Sequence, residues 1–308
     1  MKKSKEVQLA EYINSGHSRA VMSHVKEIYS YYYPKKSFKE VSRCSKKIVK
    51  LFNGKFPGYK GCNTKYHNLQ HTFEALIASV ILVDGYSIAV QKLPPQLAKN
   101  LLLAALFHDT GYIQEKWDND GTGAKHSESH VGRSIAFLVK HSDEFNISRE
   151  DVSVISKIIR CTGINVSLKT IPFTCGEEEV AGWILGSADI LGQMSDREYL
   201  ERLLFLYNEF TEAGIPGYDT EFDIIRNTLD FYKTITKRLS VSFRSIYDYA
   251  RYHFKHRIGI DKNLYIEAIN RNIAYIEKIV EDSSTNFRHK LKRGDQKEIH
   301  KKFEKAVM

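Results

Sequence analysis

Apolar residues along this chain recur at steps of three and four far more often than at steps of two. Leu97, Leu101, Ala104, Ala105 and His108 fall on one face of a helical wheel, and Tyr265, Ile269, Ile273, Ile276 and Val280 on one face of another, the repeat expected of helices packed along one side. The pattern predicts helices over about residues 4–34, 37–53, 68–91, 95–109, 126–141, 149–161, 178–194, 196–213, 221–239, 241–257 and 262–282. There are only six prolines, and Gly, Pro and Asn gather at 54–63, 94–95, 111–123, 161–177 and 214–218, where turns are expected. The expected fold class is all-α, a multi-helix domain over 56–282 with a helical N-terminal extension over 1–55 and a polar C-terminal tail over 283–308. No internal repeat is visible, which argues against a solenoid.

Composition and charge narrow the function classes. With 308 residues, 42% hydrophobic and 27% charged, the chain can fill a core and is neither disordered nor a disulfide scaffold. The net charge of +9 is uneven: residues 285–308 hold eight basic and three acidic residues, so the tail carries +5 and the rest only +4. The whole protein is therefore not a basic nucleic-acid binder on charge alone, although the tail is a candidate for nucleic acid or an anionic surface. Cys44, Cys62, Cys161 and Cys175 form no C-x-x-C pair and are expected to be reduced thiols. Apolar runs near 75–83 and 101–107 fall short of the roughly 20 residues of a membrane span, and no secretory segment follows the first lysines. A cytoplasmic protein without a transmembrane segment is expected.

The chemistry gathers in three places. Tyr66-His67-Asn68-Leu69-Gln70-His71 sets two histidines four apart, which would share one side of a helical turn; two solvated surface histidines would fit that spacing too. The stretch 101–112 runs Leu-Leu-Leu-Ala-Ala-Leu-Phe-His108-Asp109-Thr-Gly111-Tyr112. An apolar helix buries its sides, so this His-Asp pair arrives in the interior, where a carboxylate is costly unless paired or metal-bound; ordinary capping contacts are the alternative, with Gly111 expected to stop the helix. Asp189 is the only charge in residues 181–194 and calls for a cation nearby, or for a structural bond to Ser187, Trp183 or a backbone amide. Two His and two Asp make a mixed N/O donor set that suits a divalent transition metal, with Mg²⁺ in a more oxygen-rich second position.

Histidine, then a His-Asp doublet closing an apolar helix, then a lone Asp in a later apolar helix resembles the HD superfamily of metal-dependent phosphohydrolases. The Tyr66-His67-Asn68-x-x-His71 element is similar to the catalytic domain of cyclic-nucleotide phosphodiesterases, and the resemblance covers roughly residues 60–255. It implies His71, His108, Asp109 and Asp189 as metal ligands, Asp109 bridging two ions (Mn, Fe, Zn, Ni or Mg), His130 as a ligand of the second ion, and His67 as general acid. It further implies hydrolysis of a nucleotide or cyclic-nucleotide phosphoester by metal-activated hydroxide. Where the mammalian-type enzymes carry a further histidine soon after the doublet, this chain has Thr110-Gly111-Tyr112.

Supporting residues are less specific. Residues 121–134 read Gly-Thr-Gly-Ala-Lys125-His126-Ser-Glu128-Ser-His130-Val-Gly-Arg133-Ser and look like a segment of bacterial HD hydrolases. The glycine spacing is not that of a Walker loop, but Lys125 is a candidate phosphate ligand, as is Arg133 through its bidentate geometry; a solvated lysine and a surface ion pair are the alternatives. Gln193, one turn past Asp189, is a candidate for reading a base edge. A nucleotide phosphomonoesterase, or a regulatory HD module with a nucleic-acid- or lipid-binding tail, would use the same residues differently.

Overall fold

The central helix of the molecule has no polar side. In the computed structural model, which describes residues 8–12, 15–282 and 286–291, Leu69–Ala89 (α3) buries its residues from His71 to Tyr86 without a gap. Burial of a large apolar side chain is worth about 1.5–3 kcal/mol, so this helix demands cover all round. Its partners are α1 (Ser18–Tyr29), α4 (Pro95–Phe107), α7 (Gly176–Met194) and α10 (Ala250–Ile258). Around them pack α2 (Phe38–Phe52), α5 (His130–Phe145), α6 (Arg149–Arg160), α8 (Tyr199–Ala213), α9 (Glu221–Lys237) and α11 (Leu264–Glu281). No strand forms among the described residues, and the one extended pairing is an isolated antiparallel bridge between Tyr59 and Glu115. The all-α expectation holds.

Local chemistry sets the helix limits. Pro95 opens α4, a position where its missing N–H costs nothing. Ser148 caps α6 through Asp151 N, and Thr220 and Asp223 form a capping box on α9. Asn146, Gly214 and Gly259 end α5, α8 and α10 in the left-handed region.

Two expected helices differ. The span 4–34 holds a short 3-10 turn at Leu9–Glu11 and then α1, with residues 1–7 and 13–14 outside the described residues. The span 241–257 is broken by Arg244 and Ser245, whose φ angles are 49° and 55°. After them comes a 3-10 turn at Ile246–Tyr249, then α10. Gly85 of α3 receives that turn: a Cβ there would lie 1.8 Å from the Tyr249 carbonyl oxygen.

The N-terminal helices are no separate layer, since Val25 and Ile28 of α1 and Val41, Ile48 and Leu51 of α2 enter the same buried cluster as α3 and α4. Of the tail, residues 286–291 are described: Phe287 packs on Phe222 at 5.5 Å between ring centroids, Arg288 pairs with Glu221 and Lys290 with Asp282. The remainder of the tail lies outside the described residues. By length and composition α3 is apolar enough to cross a membrane, contrary to the short runs read from the sequence, yet 83% of its most apolar window is buried within the protein.

Candidate metal centre

Residues 97–107 of α4 are all buried, its two polar members being paired, Lys99 with Glu40 (2.9 Å) and Asn100 with Asp151 (2.7 Å). The helix therefore runs straight into the core and delivers His108 and Asp109 there, each at most 2% exposed. Gly111 does not stop α4 as expected: it sits in the 3-10 turn Thr110–Tyr112 with no positive φ. Its role is close approach, because a Cβ would lie 2.0 Å from the carbonyl oxygen of His130. Ser134 completes the joint, donating to His108 O (2.5 Å) and accepting from Gly111 N (2.8 Å).

His71 comes from the first turn of α3. Asn68 caps that helix by accepting from His71 N (3.1 Å), and its extended backbone places His67 before the helix rather than on a shared turn. The 67/71 pair is still brought together, with ring centroids 5.8 Å apart. Asp189 enters from α7.

Four side chains converge. His71 Nε2 lies 3.2 Å from Asp109 Oδ2 and 3.0 Å from Asp189 Oδ1, while His108 Nε2 lies 3.4 Å and 3.5 Å from the same two oxygens. The ligand atoms of His71, His108 and Asp109 all lie within 4.8 Å of one another. Despite these distances, Asp109 Oδ2 and Asp189 Oδ1 are buried and accept no hydrogen bond. Two imidazole nitrogens 3.4 Å apart beside two buried carboxylate oxygens left without a hydrogen bond are the makings of a donor set for a cation. His108 is oriented as a ligand would be: Nδ1 donates to Ala105 O at 2.8 Å, which turns Nε2 toward His71 Nε2 at 3.4 Å. These residues fit a divalent ion.

The electrostatics agree. Burial pushes the Asp109 and Asp189 carboxyls up, but the facing histidines more than reverse it and hold both below the usual range. Burial likewise lowers His71, and the two carboxylates overcome it, raising the imidazole to about 10. A protonated imidazole and a divalent cation are thus alternative ways of compensating the same two carboxylates.

A second group adjoins the first. His130, at the start of α5, lies 3.9 Å from Asp109 Oδ1, with Nδ1 committed to Ser127 O (2.6 Å). The two oxygens of Asp109 thereby face different histidines. Burial lowers the His130 pKa, which keeps its imidazole neutral and able to ligate. Tyr112 stacks on His67 (4.4 Å, 10°) and on His130 (4.7 Å, 20°), so the tyrosine after the doublet orients both rings.

Glu209 was not among the expected site residues. From α8, its Oε1 accepts Tyr66 N and its Oε2 accepts His67 Nδ1, both at 2.7 Å. Arg202, seven residues earlier on the same helix, donates to Tyr66 O (3.1 Å) and pairs with Glu74 and Asp196. In an amphipathic sequence such charges look solvated, but Glu209 is 4% exposed and Arg202 6%. Their i, i+7 spacing on one helix face is the signal that could have found them.

The three expected substrate ligands spend most of their polar atoms on the protein itself. Lys125 donates to Asp118 Oδ1 (2.7 Å) and Asp120 O (2.6 Å). Its loop spends its backbone donors too: Thr122 N on Glu212 and Gly123 N on Asn63. Arg133 grips Gly111 O (2.8 Å), Ile113 O (3.2 Å) and Glu115 (3.3 Å). Gln193 accepts from the Tyr66 hydroxyl (2.8 Å) and donates to Asp189 O (3.2 Å). His126 lies by Asp118 at 3.6 Å, and Glu128 is exposed.

A family model described as Npun_R2479-like matches residues 115–246, which include His130, Asp189 and Glu209 but not His71, His108 or Asp109. No curated protein and no solved structure matches the chain.

Proposed function

We propose that this chain is a metal-dependent phosphohydrolase of the HD type, a phosphodiesterase acting on a nucleotide or cyclic-nucleotide phosphoester. The observation that carries the reading is the convergence of His71, His108, Asp109 and Asp189, with two buried carboxylate oxygens free of hydrogen bonds, beside His67. The resemblance to HD phosphohydrolases in the order and type of these residues supports it from the sequence side. Divalent ions held by His71, His108, Asp109 and Asp189, with His130 available to a second ion, would supply Lewis acidity and acidify water at neutral pH.

The protein's own groups do the rest. Glu209 fixes the His67 ring through Nδ1, leaving Nε2 to pass a proton to the departing oxygen of the ester. Tyr112 stacks against His67 and restricts its tilt. Arg202 and Glu209 clamp the backbone of Tyr66 on both sides, so the proton donor sits on a braced segment and not on a free loop. The four free cysteines are in keeping with a reducing, cytoplasmic compartment.

The test is a screen of the purified full chain with Mn²⁺ against cyclic mononucleotides, cyclic dinucleotides, dNTPs and nucleoside monophosphates. Metal-dependent cleavage of a diester is expected. Activity on monoesters alone would replace the diester reading with a phosphomonoesterase, and no turnover in a chain with full metal occupancy would overturn the enzyme reading.

A further inference from the structure

We propose that a second binding site, for a small oxyanion such as inorganic phosphate or a short carboxylate, lies one helical turn along α5 from His130. A cavity of about 100 Å³ opens there, lined among others by Tyr59, Ile113, Glu115, Arg133, Phe137 and Lys140. None of its lining residues belongs to the His/Asp cluster. Pockets for drug-sized ligands run to about 300 Å³ and more, so this one takes a group of few heavy atoms and excludes a whole nucleotide.

The wall chemistry selects an anion. Arg133 and Lys140 supply two positive charges against the one carboxylate of Glu115. Arg133 spends Nε and Nη2 on Gly111, Ile113 and Glu115, and among the described residues its Nη1 makes no hydrogen bond. Lys140 reaches only the Tyr59 hydroxyl, at 3.4 Å, and lies 5.6 Å from that ring's centroid. No carboxylate of the described residues is within ion-pair distance of it. The Tyr59 hydroxyl is itself anchored by His141 Nε2 at 2.9 Å. Buried Ile113, Phe137 and Tyr59 line the cavity; these apolar walls strengthen a charge-assisted bond from the half-buried Arg133, while the exposed Lys140 adds its charge from the rim.

Because Arg133 also holds the carbonyls of Gly111 and Ile113, an anion that recruits its free Nη1 ties itself to the turn behind Asp109. Occupancy then stabilises the folded chain. The site stands on this cavity alone and does not require the cluster to be catalytic.

The experiment measures thermal unfolding and calorimetric binding of the full chain in EDTA, titrated with inorganic phosphate or acetate, with chloride at matched ionic strength as control. EDTA removes anions held by a divalent ion at the cluster, so failure here leaves the phosphohydrolase reading untouched. Saturable stabilisation by one of the two anions beyond chloride is expected. Lys140→Met should weaken it about threefold or more, and Glu115→Gln should tighten it by removing the competing carboxylate. The tighter of phosphate and acetate identifies the ligand class. Equal binding in wild type and Lys140→Met, or no effect of either anion beyond chloride, overturns the proposal.

Discussion

Gly111→Ala tests the joint between α4 and α5. The added Cβ would meet His130 O at 2.0 Å, and His130 C and Ser134 N at 2.8 Å, all backbone atoms that cannot rotate away. The clash is resolved only by moving α5 off the turn, and overpacking of this kind costs about 3 kcal/mol at the upper end of the usual range. For a chain of this size that lowers the melting temperature by about 5–10 °C. Gly132→Ala, in the same helix, is the matched control: nothing lies within 4 Å of its Cβ, and replacing a helical glycine gains about 0.5–1 kcal/mol. Thermal melts of both variants with and without Mn²⁺ read two things at once. Gly111→Ala should melt lower and lose most of the Mn²⁺-induced stabilisation, since moving α5 carries His130 away from Asp109 and releases Ser134 from His108. Gly132→Ala should melt slightly higher with the Mn²⁺ effect intact. A Gly111→Ala protein melting within about 1 °C of wild type with an unchanged Mn²⁺ response would refute the reasoning.

Other variants separate the roles of individual side chains. Asp109→Ala and His108→Ala should each lose bound metal by elemental analysis, and full occupancy in both would sink the ligand assignment. His67→Ala should retain metal while turnover falls by about 10²–10⁴, less for nitrophenyl esters than for alkyl ones; equal losses on both would count against proton donation. Asp84, fully buried in α3, accepts from His253 Nδ1 (2.7 Å) and Arg257 (2.7 Å). Breaking such a pair costs about 3–5 kcal/mol, so Asp84→Asn should lower the denaturant midpoint strongly at pH 7. Burial raises the Asp84 pKa, but the bonds from His253 and Arg257 outweigh it and set the carboxyl below its usual value. Its stabilisation is therefore complete above the unfolded value of about 3.9 and is lost as pH falls through the folded one. The difference between wild type and Asp84→Asn should accordingly shrink in acid, and a constant difference down to pH 2 would contradict this.

What could be read from the sequence follows a physical line. The helices were legible because period and residue type decide which side of a helix is buried, and α4 is apolar almost throughout. The break within 241–257, which seats Tyr249 on Gly85, and the close approach at Gly111 were not legible, since a contact between distant segments leaves no periodic trace. His71, His108, Asp109 and Asp189 stood out as ionisable groups in apolar surroundings. The same signal marks Glu74 and Asp84 in α3, yet those are answered by Arg202 and Arg257 from later helices and belong to no candidate metal cluster. A buried charge announces the need for compensation without saying who meets it. Lys125, Arg133 and Gln193 show the converse, for a sequence displays a donor but not the acceptor on which it is spent. Glu209 carries no such mark, because a charge on an amphipathic helix is ordinarily solvated.

The apolar girth of α3 also bears on how the chain is made. Asp84 finds His253 only 169 residues later in the sequence, and α7 and α10, which cover two of its sides, both follow it. At about 5–20 residues per second, on the order of ten to thirty seconds pass between synthesis of α3 and that of α10. Throughout that interval a segment with the length and composition of a membrane span is only partly shielded. Ribosome-bound chains halted before residue 250 should bind chaperones or insertion machinery that released, full-length chains ignore. The helix that organises the finished core is also the point at which the growing chain is most exposed to the wrong solvent.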